Sequence, residues 1–326
     1  MNPQNSGKIL VKQESETDPR YGCSPEDRPI EEHLRLGFVV LDKPSGPTSH
    51  QVVSWVKDIL GVVKAGHSGT LDPKVSGVLP IGLLDSTRLL GILLTSGKEY
   101  ITLMHLHSDV AKDRVRETLQ HLQGVLYQTP PLKSAVKIQL RKREIYELEV
   151  FEVRVRDVLF RVDCEAGTYI RKLCHDAGLI LGSGASMKEL RRIRSGPFTE
   201  EDSISLHELK DAFEFYKEEG DEKHVRSVVY PVEYGISHLK KIWVNDNSID
   251  AICHGAPVYA PGISKLVSDI GVNELVAVLS LKGELVALGR SLYSSQDIEA
   301  RDKGKILDLE RVIMRDGTYP QKWGNK

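Results

Sequence analysis

Cysteine is scarce in this 326-residue chain, which holds four: Cys23, Cys164, Cys174 and Cys253. They are scattered and no C-x-x-C pair exists, so neither a zinc ribbon nor a thioredoxin-like motif is indicated. The expectation is four reduced thiols in an intracellular protein. Cys174 and His175 adjoin, and both read as structural. The polar N-terminus lacks the apolar core of a signal peptide, and no apolar run reaches membrane-spanning length. A cytoplasmic protein with no membrane partner is expected. Net charge is small, at −2, and alone does not suggest a nucleic-acid binder. Internal repeats and low-complexity segments are lacking.

What is present suffices, by length, for two domains, and 40% hydrophobic residues can supply their cores. The near-zero charge hides patches. Glu200 to Glu222 holds ten acids against two lysines, and Lys133 to Arg143 holds five basic residues and no acid. Partners feel patches rather than averages.

Residues 1–36 are polar and proline-dotted, and read as an N-terminal arm expected to pack on the C-terminal module. From 37 to 237 strands and helices mix without strict βαβ repetition. That points to an α+β domain on a mainly antiparallel, mixed sheet. Its first strand covers Phe38 to Leu41 and breaks at Pro44, Gly46 and Pro47. A helix follows: Thr48 with Gln51 fits a capping box. Val52, Val53, Val56, Ile59 and Leu60 share a face, and Gly61 ends the helix. Strands are expected at KEYITLMHLH and, by alternation, around Val153 to Val155 and Phe160 to Cys164. RETLQHLQG reads as a short helix. The period Ile170, Leu173, Cys174, Ala177 gives another, ending at Gly178, and Leu206 to Glu219 reads as an acidic helix. Beyond about Ser237 the chain is short-stranded and glycine-punctuated, with a hairpin about Lys282-Gly283. Residues 238–326 therefore read as a small β-barrel-like domain with a tail.

The stretch AGHSGTLDPKVSGVLP, Ala65 to Pro80, sets one acid, Asp72, among glycines and small polar residues. Pro73 disfavours helical dihedrals at Asp72 and so helps fix its backbone. An Asp-Pro between glycines is common turn chemistry. A phosphate cradle fits poorly, because G-x-x-x-x-G-K-[ST] is missing and an acid repels phosphate. The third reading is a nucleophile or base, held rigidly. Most glycosidic hydrolysis takes two carboxylates, one as acid for the leaving group. A lone carboxylate suffices where the leaving group is a tolerable anion that is never released. A uracil detached from its ribose meets that description.

LDKPSGPTSH, GHSGTLDPKVSGVLP, GKEY, TPPLKSAVKIQLRKREIYELEV, EAGTYIRKL and LRRIRSGPF follow one another in that order. Together they resemble the motifs of the TruB-type pseudouridine synthases and, within them, the archaeal dyskerin-like catalytic subunits of box H/ACA ribonucleoproteins. The likeness spans nearly the whole chain. It implies isomerisation of uridine in RNA with Asp72 as nucleophile or base, and no metal or organic cofactor. By the same resemblance His67, in the Asp72 loop, helps the target base leave its stack, and Tyr100 stacks on the flipped base. Tyr169 and Arg171 serve as base-pocket and salt-bridge residues, Leu190 is a pocket wall, and Lys43 and Pro44 buttress the loop. Flipping is required because stacking hides the bond to be broken. Taken singly, Tyr100, Tyr169 and Leu190 are ordinary core, His67 is a turn histidine, and Arg171 is a surface residue able to pair with Glu165. Only the joint pattern favours a site.

The basic run, with Lys133, Lys137, Arg141 and Arg143, is expected to face substrate or guide RNA; its alternative is a solvated strand face. The C-terminal module resembles the PUA domain. That implies a guide-RNA contact at HGAPVYAPGI through Gly255, Ala256, Tyr259 and Gly262, against the alternative of a glycine-rich barrel corner. A T-x-T-x-D-x-x-G-like segment, present in standalone tRNA-modifying relatives, is missing from HLHSDVAKDRVRETLQHLQG. The resemblance thus implies a guide RNA and rRNA substrates, with tRNA left open. It also implies small protein subunits: a zinc-ribbon-like protein, a glycine-arginine-rich type and a kink-turn-binding ribosomal-protein homologue. The alternatives are a standalone tRNA pseudouridine synthase and an inactive RNA-binding scaffold.

Overall fold

The computed structural model describes residues 7–129 and 139–321; Lys133 and Lys137 lie outside them. The chain divides into two compact units, one of residues 39–83 and 89–228, the other of residues 1–38, 84–88 and 229–326. No helix among the described residues is long and apolar enough to cross a membrane.

The first unit is built on a sheet in the order Gly37–Lys43, Ser76–Leu83, Ala185–Ser195, Lys98–Leu106, Asp157–Cys164, Arg141–Arg154, Gly124–Gln128. Lys98–Leu106 is antiparallel to both neighbours, whereas Ser76–Leu83 runs parallel to Ala185–Ser195. The sheet is thus mixed and mostly antiparallel, as expected of the α+β class. Met104 and Leu106 of the central strand meet Val115 and Leu119 of helix Lys112–His121, and Leu173, Cys174 and Ala177 of helix Ile170–Leu181. Each large apolar side chain so buried stabilises by about 1.5–3 kcal/mol.

Helix Ser49–Leu60 forms where its caps predict. The Gln51 backbone N–H donates to Thr48 Oγ1 at 3.2 Å, and the Thr48 N–H donates to Gln51 Oε1 at 2.8 Å. Gly61, at φ +62°, ends the helix in the left-handed region. Helix Ile170–Leu181 differs from its expected extent. It runs through Gly178 and stops at Gly182, at φ +73°. A Cβ on Gly178 would collide with the backbone of Gly184 and Ala185, so that glycine serves close packing rather than termination. The helix expected at RETLQHLQG starts earlier, at Lys112. The strand expected near Val153 is the end of the long strand Arg141–Arg154.

The second unit orders its strands Ile9–Val11, Ile263–Val267, Lys240–Val244, Leu275–Leu279, Leu285–Ser291, Lys305–Val312, Val258–Tyr259. They share a core that includes Ile242, Val276, Val278, Val286 and Leu307. The hairpin about Lys282-Gly283 is present, Leu275–Leu279 pairing antiparallel with Leu285–Ser291. Ile9–Val11 pairs antiparallel with Ile263–Val267. Thr17 Oγ1 and the Asp18 N–H donate to the Asp246 carboxylate at 3.0 and 2.8 Å. A short helix, Ile30–Arg35, lies in the stretch that reads from sequence as an arm. His33 Nε2 bonds the Val229 carbonyl at 2.8 Å there.

Candidate active site

Asp72 follows strand Ala65–His67 in a loop whose backbone is held at nearly every step. The buried Ser49 hydroxyl both accepts from the Leu71 N–H (2.9 Å) and donates to the Leu71 carbonyl (3.0 Å). The Gly46 N–H donates to the Pro73 carbonyl at 2.8 Å, and the Val75 N–H to the Asp72 carbonyl at 2.9 Å. Lys43 is fully buried. Its ammonium donates to the carbonyls of Pro44 (2.9 Å), Pro73 (3.1 Å) and Val75 (2.8 Å). Burial pushes the Lys43 pKa down, and the Asp72 charge opposes that shift. LDKPSGPTSH therefore wraps the loop with a lysine, a glycine N–H and a serine hydroxyl, and the backbone on either side of Asp72 is fixed.

The Asp72 side chain remains about half exposed and pairs with the Arg171 guanidinium. Arg171 is the second residue of helix Ile170–Leu181, and Tyr169 is its N-cap. The peptide groups of Tyr169 are clamped by the buried Gln128, which accepts from the N–H at 2.9 Å and donates to the carbonyl at 3.1 Å. Gln128 thereby sets where Arg171 leaves the helix start. Glu165, the other carboxylate considered for Arg171, instead faces Arg143 at 3.6 Å. Arg141 and Arg143 both lie on strand Arg141–Arg154.

Tyr100 and Leu190 lie on neighbouring strands, Tyr100 opposite Arg192 and Leu190 opposite Thr102. Directly opposed residues point to one face, so Tyr100, Leu190 and Arg192 share a face of the sheet. Burial raises the Tyr100 pKa, and the phenol stays protonated. His67 ends its strand rather than lying in the loop. Its ring meets His50 edge-on, with centroids 5.1 Å apart, and its Nδ1 is buried with no hydrogen-bond partner. Burial first, then the charges of His50 and Arg192, lower its pKa to about 4. The imidazole is therefore neutral at neutral pH. Buried thiols at Cys164 and Cys174 are pushed up to about 12, which leaves them protonated and unreactive. Among the described residues no group of three His, Cys, Asp or Glu side chains could hold a metal ion.

The structure thus brings Lys43, Pro44, Asp72 and Arg171 together, with Tyr100 and Leu190 on a single sheet face. Ser49, Gln128, His50 and Arg192 had no site role in the sequence reading. For Ser49 and His50 a signal existed, since both stand inside LDKPSGPTSH. In the other unit, Gly255 has φ +91° and open space where a Cβ would be, and Tyr259 is half exposed. Gly262 is buried, and a Cβ there would press on Ser248, so its smallness serves packing.

Four family models match the chain: the DKCLD (NUC011) domain over residues 2–53, the TruB family pseudouridylate synthase N-terminal domain over 57–170, the tRNA pseudouridylate synthase B C-terminal domain over 171–237, and the PUA domain over 240–313. A probable tRNA pseudouridine synthase B of Methanopyrus kandleri is 53% identical over 319 residues, 98% of this chain and 94% of that protein. Its counterpart in Pyrococcus furiosus is 51% identical over 318 residues, 97% of this chain and 94% of that protein. A chain in the structure of an H/ACA RNP bound to a substrate RNA containing 2′-deoxyuridine superposes with a TM-score of 0.92 at 48% identity, covering 99% of both chains. One in a Cbf5-Nop10-Gar1 complex gives 0.92 at 50% identity over 98% of both.

Proposed function

The chain belongs to the TruB family of pseudouridylate synthases, and from that membership we propose that it isomerises uridine to pseudouridine in RNA through Asp72, as the catalytic subunit of a guide-RNA-directed box H/ACA ribonucleoprotein. One observation carries the residue assignment: a half-exposed carboxylate, paired with Arg171, on a loop anchored on both sides of it. A reacting group needs that combination of access and fixed position. Asp72 acts on the ribose of a flipped uridine, at C1′ or by taking the C2′ proton. The N1–C1′ bond breaks and the base keeps the electron pair. It turns in the pocket and C5 bonds C1′, as the Asp72–C1′ bond breaks or, on the other path, the proton returns to C2′; C5 then gives up its proton and N1 takes one. Substrate and product are isomers, so electrons and atoms balance without a co-reactant. The aromatic face of Tyr100 and the apolar wall of Leu190 hold the base out of its stack meanwhile, and Tyr169 closes the pocket at the helix start.

The guided setting is supported by the near-complete superposition on a chain from an H/ACA RNP. In it, guide RNA selects the uridine and lies against the PUA module near Gly255, Ala256 and Tyr259. Substrate rRNA occupies the catalytic unit, and small protein subunits like those of the Cbf5-Nop10-Gar1 complex complete the particle in the cytoplasm. The names of the curated relatives favour a second substrate, tRNA. The test is reconstitution with a guide RNA, the small subunits and RNA tritiated at uridine C5. Tritium release that requires the matching guide is expected. Equal release from a tRNA transcript without guide would replace the guided setting by the standalone one. No release from the assembled particle would leave only an RNA-binding scaffold.

A further inference from the structure

The largest fully buried side chain, which lies beside the site, is a guanidinium with no counter-ion among the described residues. Arg192 is 1% exposed, and no ion pair joins it to a carboxylate among the described residues. Its neighbours are treated differently: Arg191 pairs with Asp42 and Glu200, and Arg194 with Glu99 and Asp163. A buried guanidinium without an anion is costly, and an apolar side chain of like volume would be cheaper. What Arg192 has instead is backbone. Its Nε donates to the Val78 carbonyl at 2.7 Å and its Nη2 to the Gly69 carbonyl at 3.2 Å. Across the strand pair it stands directly opposite Tyr100, on the same face of the sheet. Desolvation lowers its own pKa, and burial first, then the Arg192 charge, pushes the nearby Lys98 down to about 7.

Gly69 lies three residues before Asp72, and Val78 six after it. Lys43 holds the carbonyls of Pro73 and Val75, inside that span. Two buried cations therefore grip the reactive loop by its carbonyls, and of the two Arg192 also stands opposite the tyrosine assigned to stack on the base. We infer that Arg192 is a positioning residue that fixes the Asp72 loop in register with the Tyr100 ring. It acts through Gly69 and Tyr100 and does not itself meet the substrate. This role presupposes Asp72 as the reacting carboxylate. Gly77 shows how closely the parts fit: with φ +105°, a Cβ there would run into the Arg192 backbone.

The experiment uses the full chain in the reconstituted guide-RNA particle, with single-turnover rate, substrate affinity and melting temperature read for each variant. The variants are Arg192→Lys, Arg192→Met, Tyr100→Phe, Tyr100→Phe with Arg192→Lys, and Asp72→Asn. Arg192→Met is expected to slow turnover by about a hundred-fold, the order expected for an ångström-scale misplacement, with substrate affinity within about three-fold. Arg192→Lys keeps charge and reach, and should recover about ten-fold of that loss. Tyr100→Phe removes the hydroxyl of the side chain opposed to Arg192, so its effect and that of Arg192→Lys should be less than additive. If Arg192→Met does not fold, Arg192→Lys and the double variant decide. Wild-type turnover in Arg192→Lys, additive with Tyr100→Phe, would overturn the role. So would loss of substrate affinity with an unchanged single-turnover rate at saturation. Full turnover by Asp72→Asn would instead remove the assignment beneath it.

Discussion

Buried charge is handled in opposite ways in the two units. Where residues 1–38 and 229–326 form one core, buried charges come with partners. Arg28 makes a two-bond pair with Glu233 (2.8 and 2.6 Å), Arg35 meets Glu32 and Asp85, and Glu284 accepts from Tyr319 (2.6 Å) and Ser280 (2.8 Å). In the catalytic unit the buried charged side chains among the described residues are Lys43, Lys98 and Arg192. All are basic, and their hydrogen bonds go to backbone carbonyls. The first arrangement compensates charge locally. The second uses basic side chains to fasten backbone.

Substitutions can separate these two uses of charge. The largest effect should come from Asp72→Asn, which is expected to cut single-turnover isomerisation by at least about a thousand-fold while guide-RNA binding in a gel shift stays at the wild-type level. Turnover comparable to wild type, with deamidation excluded by mass, would contradict it. Next is a matched pair, Arg28→Met and Lys43→Met. Arg28→Met strips the mostly shielded Glu233 carboxylate of its two-bond cation, leaving it the Leu285 N–H, and should destabilise by about 3–5 kcal/mol in denaturant melts, with turnover per folded molecule unchanged. Lys43→Met strands carbonyls and should cost about 1–3 kcal/mol, yet lower turnover as well. The reverse pattern would dissolve the contrast.

A smaller effect is expected at Tyr100. Removing the ring with Tyr100→Ala should weaken substrate binding by about 1–3 kcal/mol, the worth of base–aromatic stacking, while Tyr100→Phe keeps affinity. Equal affinities in the two would make Tyr100 a core residue only. The smallest effect concerns pH. His67 is neutral in the folded state down to about pH 4, whereas in the unfolded chain it protonates near 6.5. Between those values the unfolded state binds the extra proton, so stability is lost as pH falls from 6.5 through 4. Allowing for its partial exposure, His67 accounts for on the order of 2 kcal/mol. Denaturant melts of His67→Gln should show a shallower decline over that window than wild type; parallel curves would mean the ring is solvated.

What the sequence made legible was local. Thr48, Gln51 and Gly61 sit within one helix and its caps, and their hydrogen bonds join near neighbours. The hairpin about Lys282-Gly283 is likewise short-range. Gly178 misled because a glycine's two uses, ending a helix and letting one pack closely, look alike until the partner strand is in view. Asp72 stood out because its loop is unusual in composition, and Arg171 reaches it from a helix start that periodicity had already placed. Arg192 and Gln128 carried no such mark. Their partners are carbonyl and amide groups of the main chain, which every residue has, and the Gly69 carbonyl lies 123 residues from Arg192. The helix Ile30–Arg35 is six residues long, too short to show a period, and is held by contacts such as His33 to Val229.

Strand Ile9–Val11 and its partner Ile263–Val267 are far apart in the chain; Ser264 of the later strand, which donates to the Gln13 carbonyl, is 251 residues from it. On the ribosome this order has a cost in time. At roughly 5–20 residues per second, the first strand emerges about 10–50 s before the strand it joins. The catalytic unit, encoded almost entirely between the two, is complete before its companion can close. Synthesis therefore delivers a folded enzyme core with a waiting, unpaired β-edge at its leading end, and a chaperone or partner acting during translation has that interval in which to meet it.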